Sequence, residues 1–92
     1  MPTADYRTQA FALVQRAIRI QLGDDGNLAE VESCLLKALD LDPDSIEALQ
    51  EAAHFFDIVM PQAARATDCA LRCRAQAVKV TAEMDEILRD SN

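Results

Sequence analysis

Four stretches of the chain repeat apolar residues every three or four positions, the spacing that places them on one face of an α-helix. The first stretch predicts a helix from about Thr3 to Leu22, with Thr3 or Asp5 as its N-terminal cap. Its apolar face is expected to contain Phe11, Val14, Ala17, Ile18 and Leu22. Gly23 and Gly26 bracket two aspartates, and residues of these types favour a turn that ends the helix.

The next two helices are separated by a proline. A second helix is predicted from about Asn27 to Leu41, with Asn27 as its cap. Pro43 ends this helix, because a proline pushes the residue before it out of the helical conformation. Asp44 or Ser45 then caps a third helix, which should continue to about Val59. The inward positions of that helix are predicted to be Ile46, Leu49, Ala52, Ala53 and Phe56.

The last helix is predicted to be much longer than the others. Pro61 suits its first turn, and no helix breaker follows before Ser91, so it should approach about thirty residues. An apolar seam with alternating spacings of four and three runs along it. The seam consists of Ala66, Ala70, Cys73, Ala77, Val80, Met84 and Ile87. Its small first half is expected to pack on the second and third helices, and its larger second half to cover the first helix or a partner.

Composition narrows the class of protein. Half of the 92 residues are hydrophobic but only 4% are aromatic, and there are only two glycines and three prolines. This composition favours a single all-α domain over residues 1–92. No apolar run approaches the ~20 residues that cross a bilayer, and the first residues lack the pattern of a secretory signal. The odd number of cysteines favours a reducing compartment, so we expect a cytoplasmic protein.

The charge is acidic and unevenly distributed. A net charge of −7 argues against nucleic acid or an anionic membrane as the main partner. Carboxylates dominate from Asp24 to Asp57, where Lys37 is the single lysine or arginine, whereas basic residues dominate from Gln62 to Lys79. Two solvated helix faces would explain this distribution. Alternatively, the acidic region meets a basic segment of a partner or of a second copy of the chain.

The sequence also repeats itself weakly. Ile46 lies 34 residues after Ala12, and this offset superposes the first helices of two helix pairs. Within the second helix of each pair, an offset of 35 aligns the apolar residues better. The aligned pairs are Leu28 with Ala63, Val31 with Ala66, Leu35 with Ala70, and Ala38 with Cys73.

The stretch from Ala38 to Leu49, ALDLDPDSIEAL, resembles the junction between two units of a tetratricopeptide repeat (TPR) array. The first unit matches the family at Val31, Leu35, Ala38, Leu39, Leu41 and Pro43. The second unit matches it at Leu49, Ala52, Ala53 and Phe56, and then lacks the closing proline. The resemblance implies a right-handed array of two helix-turn-helix units, at about 12–45 and 46–79, with a capping extension of the last helix over residues 80–90.

The resemblance also implies a function in binding other proteins. TPR-like proteins hold other proteins, so we expect a non-enzymatic adaptor or chaperone that binds a peptide or helix in its inner groove. The positions that match the groove of the family are Leu13, Arg16, Ile20, Gln50, His54 and Asp57. The surplus of carboxylates favours a basic partner. We expect no catalytic residue and no cofactor.

Two other functions remain open. Two repeats leave apolar faces exposed, so the chain could be a structural homodimer or a subunit docked through its last helix. The side chains for that contact would be Val80, Met84, Ile87 and Leu88. A metal-binding regulator could use Cys34, Cys69, Cys73 and His54. Buried structural thiols are favoured over that site, since Cys73 lies on the apolar seam and the other two cysteines occupy ordinary helix positions.

Overall fold

The residues that the structure describes form four helices and a short π-helical turn. The structure, a computed structural model, describes residues 5–23 and 26–91. Its elements are α1 (Tyr6–Leu22), α2 (Leu28–Leu41), α3 (Ile46–His54), the π turn (Phe55–Val59) and α4 (Ala63–Asp90). There is no strand within these described ranges. The all-α prediction is therefore confirmed.

Side-chain caps begin the first three helices where the sequence predicts them. The caps are Asp5, Asn27 and Ser45, whose side-chain oxygens accept hydrogen bonds from the backbone N–H groups of Arg7, Glu30 and Ala48 at 3.1–3.2 Å. Each bond satisfies a donor that the first turn of a helix otherwise leaves without a partner. Of the two candidates for α3, Ser45 is the cap and Asp44 lies in the preceding turn. Thr3 lies outside the described residues.

The third helix does not continue as an α-helix to Val59, and that prediction is wrong in its last turn. The chain widens into the π turn, and the N–H of Met60 donates to the carbonyl of Phe55 at 2.8 Å. As a result Phe55 is buried as well as Phe56, and the two rings meet edge to face with centroids 5.2 Å apart. The α-helical spacing predicts Phe56 inside but not Phe55.

Pro61 also lies outside the position predicted for it. The cap of α4 is Gln62, so Pro61 precedes the helix instead of occupying its first turn. The backbone N–H of Gln62 donates to the carbonyl of Phe56 at 2.8 Å, which holds the chain against the end of the π turn. The start of α4 is also tied to α2 through the Glu32 carboxylate. Glu32 Oε2 accepts a hydrogen bond from Gln62 Nε2 at 3.4 Å and lies 3.6 Å from Nη1 of Arg65 in an ion pair.

The helices pack as two hairpins, α1 with α2 and α3 with α4, and α3 also lies against both helices of the first hairpin. The largest side chains of the core are Val14, Val31, Leu35, Leu49, Phe55 and Phe56. Where α1, α2 and α3 converge, Val14 is buried together with the small side chains Ala10, Ala38 and Ala48, which allow the helices to approach closely. Phe11 and Leu22 belong to the predicted apolar face of α1 but are exposed.

The second half of α4 extends beyond the rest of the fold. Cys73 lies beside Ile46, the first residue of α3, with its sulfur 3.9 Å from the Ile46 carbonyl oxygen. Because α3 begins there, α4 runs past the end of its neighbour, and every residue from Ala77 to Ser91 is exposed. We call residues 77–90 the distal segment. The expectation that it covers the first helix is wrong.

The overall dimensions show the same extension. The Cα radius of gyration is 15.1 Å, against about 12 Å for a compact domain of this length. The Cα atoms span 51 × 40 × 22 Å. The core therefore occupies one part of an elongated molecule, and the distal segment leads away from it.

Candidate functional site

A shallow cleft runs between α3 and the first half of α4. Two adjoining depressions form it, and they share Ala53, His54 and Ala70 as lining residues. One depression is completed by Asp57, Ala66 and Thr67. The other is completed by Gln50, Cys73, Arg74 and Ala77. The cleft is thus continuous from the π turn to the point where the distal segment begins.

Alanines at the helix contact create this shape. Gln50, His54 and Asp57 recur at helical spacing along α3 and the π turn, so they form one stripe. Ala53 lies in the same stretch and faces Ala70 of α4 across the cleft. Side chains that end at Cβ leave the space between the two helices unfilled. Ala70 is accordingly exposed, although it belongs to the seam predicted to pack inside.

The two ends of the cleft carry opposite charges. Asp57 lies at the end nearest the π turn, and Arg74 lies at the end nearest the distal segment. The exposed imidazole of His54 lies between them. Within the described residues Arg74 forms no ion pair, so its guanidinium is available to a carboxylate of a bound molecule.

The six predicted groove residues do not lie together. Gln50, His54 and Asp57 line the cleft between α3 and α4, but none of the three predicted residues of α1 lines it. Leu13 and Ile20 are half-buried and pack against the core. The exposed side chain of Arg16 donates from Nε to the carboxylate of Glu30 on α2 at 3.1 Å.

Glu30 engages the Arg16 guanidinium in an ion pair as well as in a hydrogen bond. The hydrogen bond to Glu30 and its charge raise the pKa of Arg16 above the usual value. The Arg16 side chain is 60% exposed and the Glu30 side chain 39%, so solvent screens the pair, which connects α1 and α2 and adds little to stability.

Arg74, Ala53, Ala70 and Ala77 line the cleft but are absent from the predicted groove. The three alanines did appear in the sequence patterns: Ala70 and Ala77 in the small half of the apolar seam, and Ala53 on the apolar face of the third helix. Only the packing of α3 on α4 shows that these small residues border an open cleft.

The apolar seam continues from Ala77 along the distal segment. Its large side chains are exposed: Val80 by 41%, Met84 by 46% and Ile87 by 56%, with Leu88 beside them at 63%. An apolar stripe of this length on one side of a helix is typical of a surface that contacts another helix.

The three cysteines are free thiols with different burial. Cys34 and Cys69 are buried in the core, and Cys73 is half-buried at the cleft. Cys73, which the sequence places on the apolar seam, is thus the least buried of the three. Burial raises the pKa of the Cys69 thiol, because the low-polarity surroundings disfavour the thiolate. Within residues 5–23 and 26–91, no three histidine, cysteine, aspartate or glutamate residues lie together as metal ligands would.

The fold and the cleft define an all-α protein of two consecutive helical hairpins with an extended last helix. None of the described helices is long and apolar enough to cross a membrane. Comparison of the chain with protein-family models, with curated proteins and with solved structures found no match in any of the three.

Proposed function

We propose that the protein is a non-enzymatic protein–protein interaction module, a small cytoplasmic adaptor or chaperone that binds a helix or peptide along the cleft between α3 and α4. One observation carries the proposal: the apolar floor of the cleft continues without a break into the exposed seam of the distal segment. Exposed apolar surface of this extent in a small protein marks a contact with another molecule.

The arrangement of the hairpins supports a TPR-like interpretation of the fold. In such an array, each helical hairpin stacks on the next, and the first helices of successive units are neighbours. Here α1 and α3, which begin the two proposed units, lie against one another, and α2 also contacts α3. The proposed units are residues 12–45 and 46–79, with residues 80–90 as the extension.

The charges of the cleft define the chemistry of a bound segment. Asp57 favours a basic side chain at one end, and Arg74 favours an acidic side chain at the other. The net charge of −7 adds a general preference for basic proteins over acidic ones. An amphipathic helix with apolar residues at helical spacing would fill the intervening floor of alanines.

Two glutamates introduced into the cleft test the proposal. The double variant Gln50→Glu with His54→Glu should be immobilised and exposed to a lysate of the native source. The amount of protein that it captures should be far lower than the amount captured by the wild type. The new carboxylates must be desolvated when the apolar floor is covered, which is costly without a pairing partner. Both positions are exposed, so the far-UV circular dichroism spectrum should not change.

The matched control is Thr8→Glu with Ala12→Glu. These two residues are exposed on α1 at the same spacing of four, and the change in charge is the same. Capture should survive in the control variant. Equal capture by the two double variants would contradict binding at the cleft.

A second candidate function is favoured by the exposed distal segment itself. The chain would then be a structural homodimer or complex subunit docked through Val80, Met84, Ile87 and Leu88. No comparable observation favours the metal-binding regulator, since Cys34 and Cys69 lie in the core while His54 is exposed at the cleft.

A further inference from the structure

The distal segment is helical without support from the rest of the described chain. It extends for about four turns, and isolated helices of this length are marginal in water. Val78, Val80 and Thr81 lower its helix propensity further, because β-branched side chains lose rotamer freedom in a helix. A surface that packs on its apolar seam would stabilise the segment.

The charges of α4 divide it into two halves of opposite sign. Residues 63–79 carry four basic side chains against one acidic side chain: Arg65, Arg72, Arg74 and Lys79 against Asp68. Residues 80–90 carry four acidic side chains against one basic side chain: Glu83, Asp85, Glu86 and Asp90 against Arg89. Two such helices attract one another when they run in opposite directions and repel when they run in the same direction.

We propose that the partner at this surface is a second copy of the chain, with the distal segments paired antiparallel and the acidic tip of each α4 lying against the basic part of the other. The inference rests on the proposed function, because it names the molecule that covers the same seam and the Arg74 end of the cleft. Each copy would supply the helix that the other receives, so the contact is two-fold symmetric.

The seam determines how the two helices align. With the midpoint of the pair near Ala82, Ala77 faces Ile87 of the second copy, and Val80 faces Met84 of the second copy. The small Ala77 then opposes a large side chain, and Val80 and Met84 interlock at the centre of the pair, as in close packing of two helices. The core packs against only the first half of each α4. In the antiparallel pair, the cores of the two copies therefore lie at opposite ends of the paired helices.

Charged residues of the cleft determine how far the acidic tip of the second copy, residues 80–90, extends along α4 toward the cleft. Arg74 lies where the acidic tip ends, and it has no competing ion pair in the described part of the chain. Asp57 lies further along and would repel the same tip. Arg72 is already occupied, because its guanidinium donates to Asp68 at 3.2 Å and to the carbonyl of Pro43 at 2.9 Å. These contacts favour the alignment centred near Ala82 over a deeper one.

Charge reversal in each half tests the pairing by sedimentation equilibrium at low ionic strength. The wild type should be a dimer that dissociates on dilution. Arg74→Glu with Lys79→Glu, and Asp85→Lys with Asp90→Lys, should each weaken self-association by about tenfold or more, since like charges then face one another. An equimolar mixture of the two variants should restore the dimer mass. All four positions are exposed, so each variant should keep its helical content.

The second variant separates the proposed contact from a general effect of charge. Asp85→Lys with Asp90→Lys reduces the magnitude of the net charge of −7, which on its own would favour association. Weaker association of this variant therefore supports the specific pairing. Stronger association, or a wild type that stays monomeric up to high concentration, would overturn it.

Engineered thiols determine the direction of the pair. In a Cys73→Ser background, Ala77→Cys and Ile87→Cys should form a disulfide with one another when mixed, and neither should crosslink with itself. Self-crosslinking of Ile87→Cys alone would mean a parallel pair and would overturn the inference. The outcome is independent of the lysate capture experiment: a monomeric wild type whose capture is lost in Gln50→Glu with His54→Glu refutes the dimer and leaves the proposed function standing.

Discussion

Replacing Val80 by aspartate should leave the isolated monomer as stable as the wild type. Val80 lies on the distal segment, whose residues are all exposed, so the monomer loses no buried contact. Valine and aspartate have similar helix propensities, and an exposed substitution of this kind changes the free energy of unfolding by less than about 0.5 kcal/mol. Val78→Asp is the matched control, because Val78 is 69% exposed and lies outside the seam.

The two variants should differ in how their Tm depends on protein concentration, because only Val80→Asp disrupts the contact between copies. A ligand that binds only the folded state stabilises it by about 2.7 kcal/mol at a hundred times its dissociation constant. For a domain of this size, 1 kcal/mol shifts Tm by about 4–8 °C. In a homodimer the ligand is drawn from the same pool of protein, so the gain between the dissociation constant and a hundred times that value is smaller, about 1 kcal/mol. The Tm of the wild type and of Val78→Asp should therefore rise by about 5–9 °C over that range of concentration. The Tm of Val80→Asp should stay nearly constant, because a buried carboxylate on the seam prevents pairing.

The assay is a series of thermal melts by circular dichroism, from low micromolar to near-millimolar protein. Two results would refute the reasoning. A Tm for Val80→Asp far below that of the wild type at the lowest concentration would mean that the distal segment packs on the body of the monomer. The same dependence of Tm on concentration in both variants would mean that the seam is not the contact surface.

Four further predictions concern the monomer. Leu35→Ala should lower the free energy of unfolding by about 2–5 kcal/mol in urea titrations, because Leu35 is fully buried in the core. Ser45→Ala should cost about 1 kcal/mol through loss of the α3 cap, whereas the exposed Ser33→Ala should cost much less in the same titration. Cys73 should react with iodoacetamide before Cys69, as read by mass spectrometry of the digested protein. Burial raises the folded pKa of Cys69, so its stabilising contribution is complete below the unfolded pKa and is lost as pH rises through the folded pKa, which urea titrations above neutral pH should detect.

Local chemistry made the starts of the first three helices, and the ends of α1 and α2, predictable from the sequence. Asn27 and Ser45 each accept a hydrogen bond from the backbone three residues ahead, and this contact depends only on neighbouring residues. Pro43 separates α2 from α3 for an equally local reason. The length of α4 was predictable because its sequence contains no breaker.

The π turn could not be predicted from the same patterns. It depends on the burial of Phe55 and Phe56 together, which requires contacts with the rest of the core as well as a helical period. A spacing of 3.6 residues places only Phe56 inward. Widening the backbone at this point allows both rings to enter, and it moves the start of α4 beyond Pro61.

The candidate site was predictable only on one of its two sides. Gln50, His54 and Asp57 share a helix face, so their common position followed from helical spacing. The opposite wall depends on which helix packs beside α3. That wall is α4, with Ala70 and Arg74, and not α1, and this choice is determined by tertiary packing.

Hydrogen–deuterium exchange at low and high protein concentration tests the central claim most directly. If the seam and the cleft form the contact surface, amides of the distal segment should exchange rapidly in dilute protein and slow markedly as the concentration rises. The amides around Arg74, at the end of the cleft, should gain protection over the same range, while those around Val14 in the core should stay unchanged. Rapid exchange of the distal segment at every concentration would contradict the account.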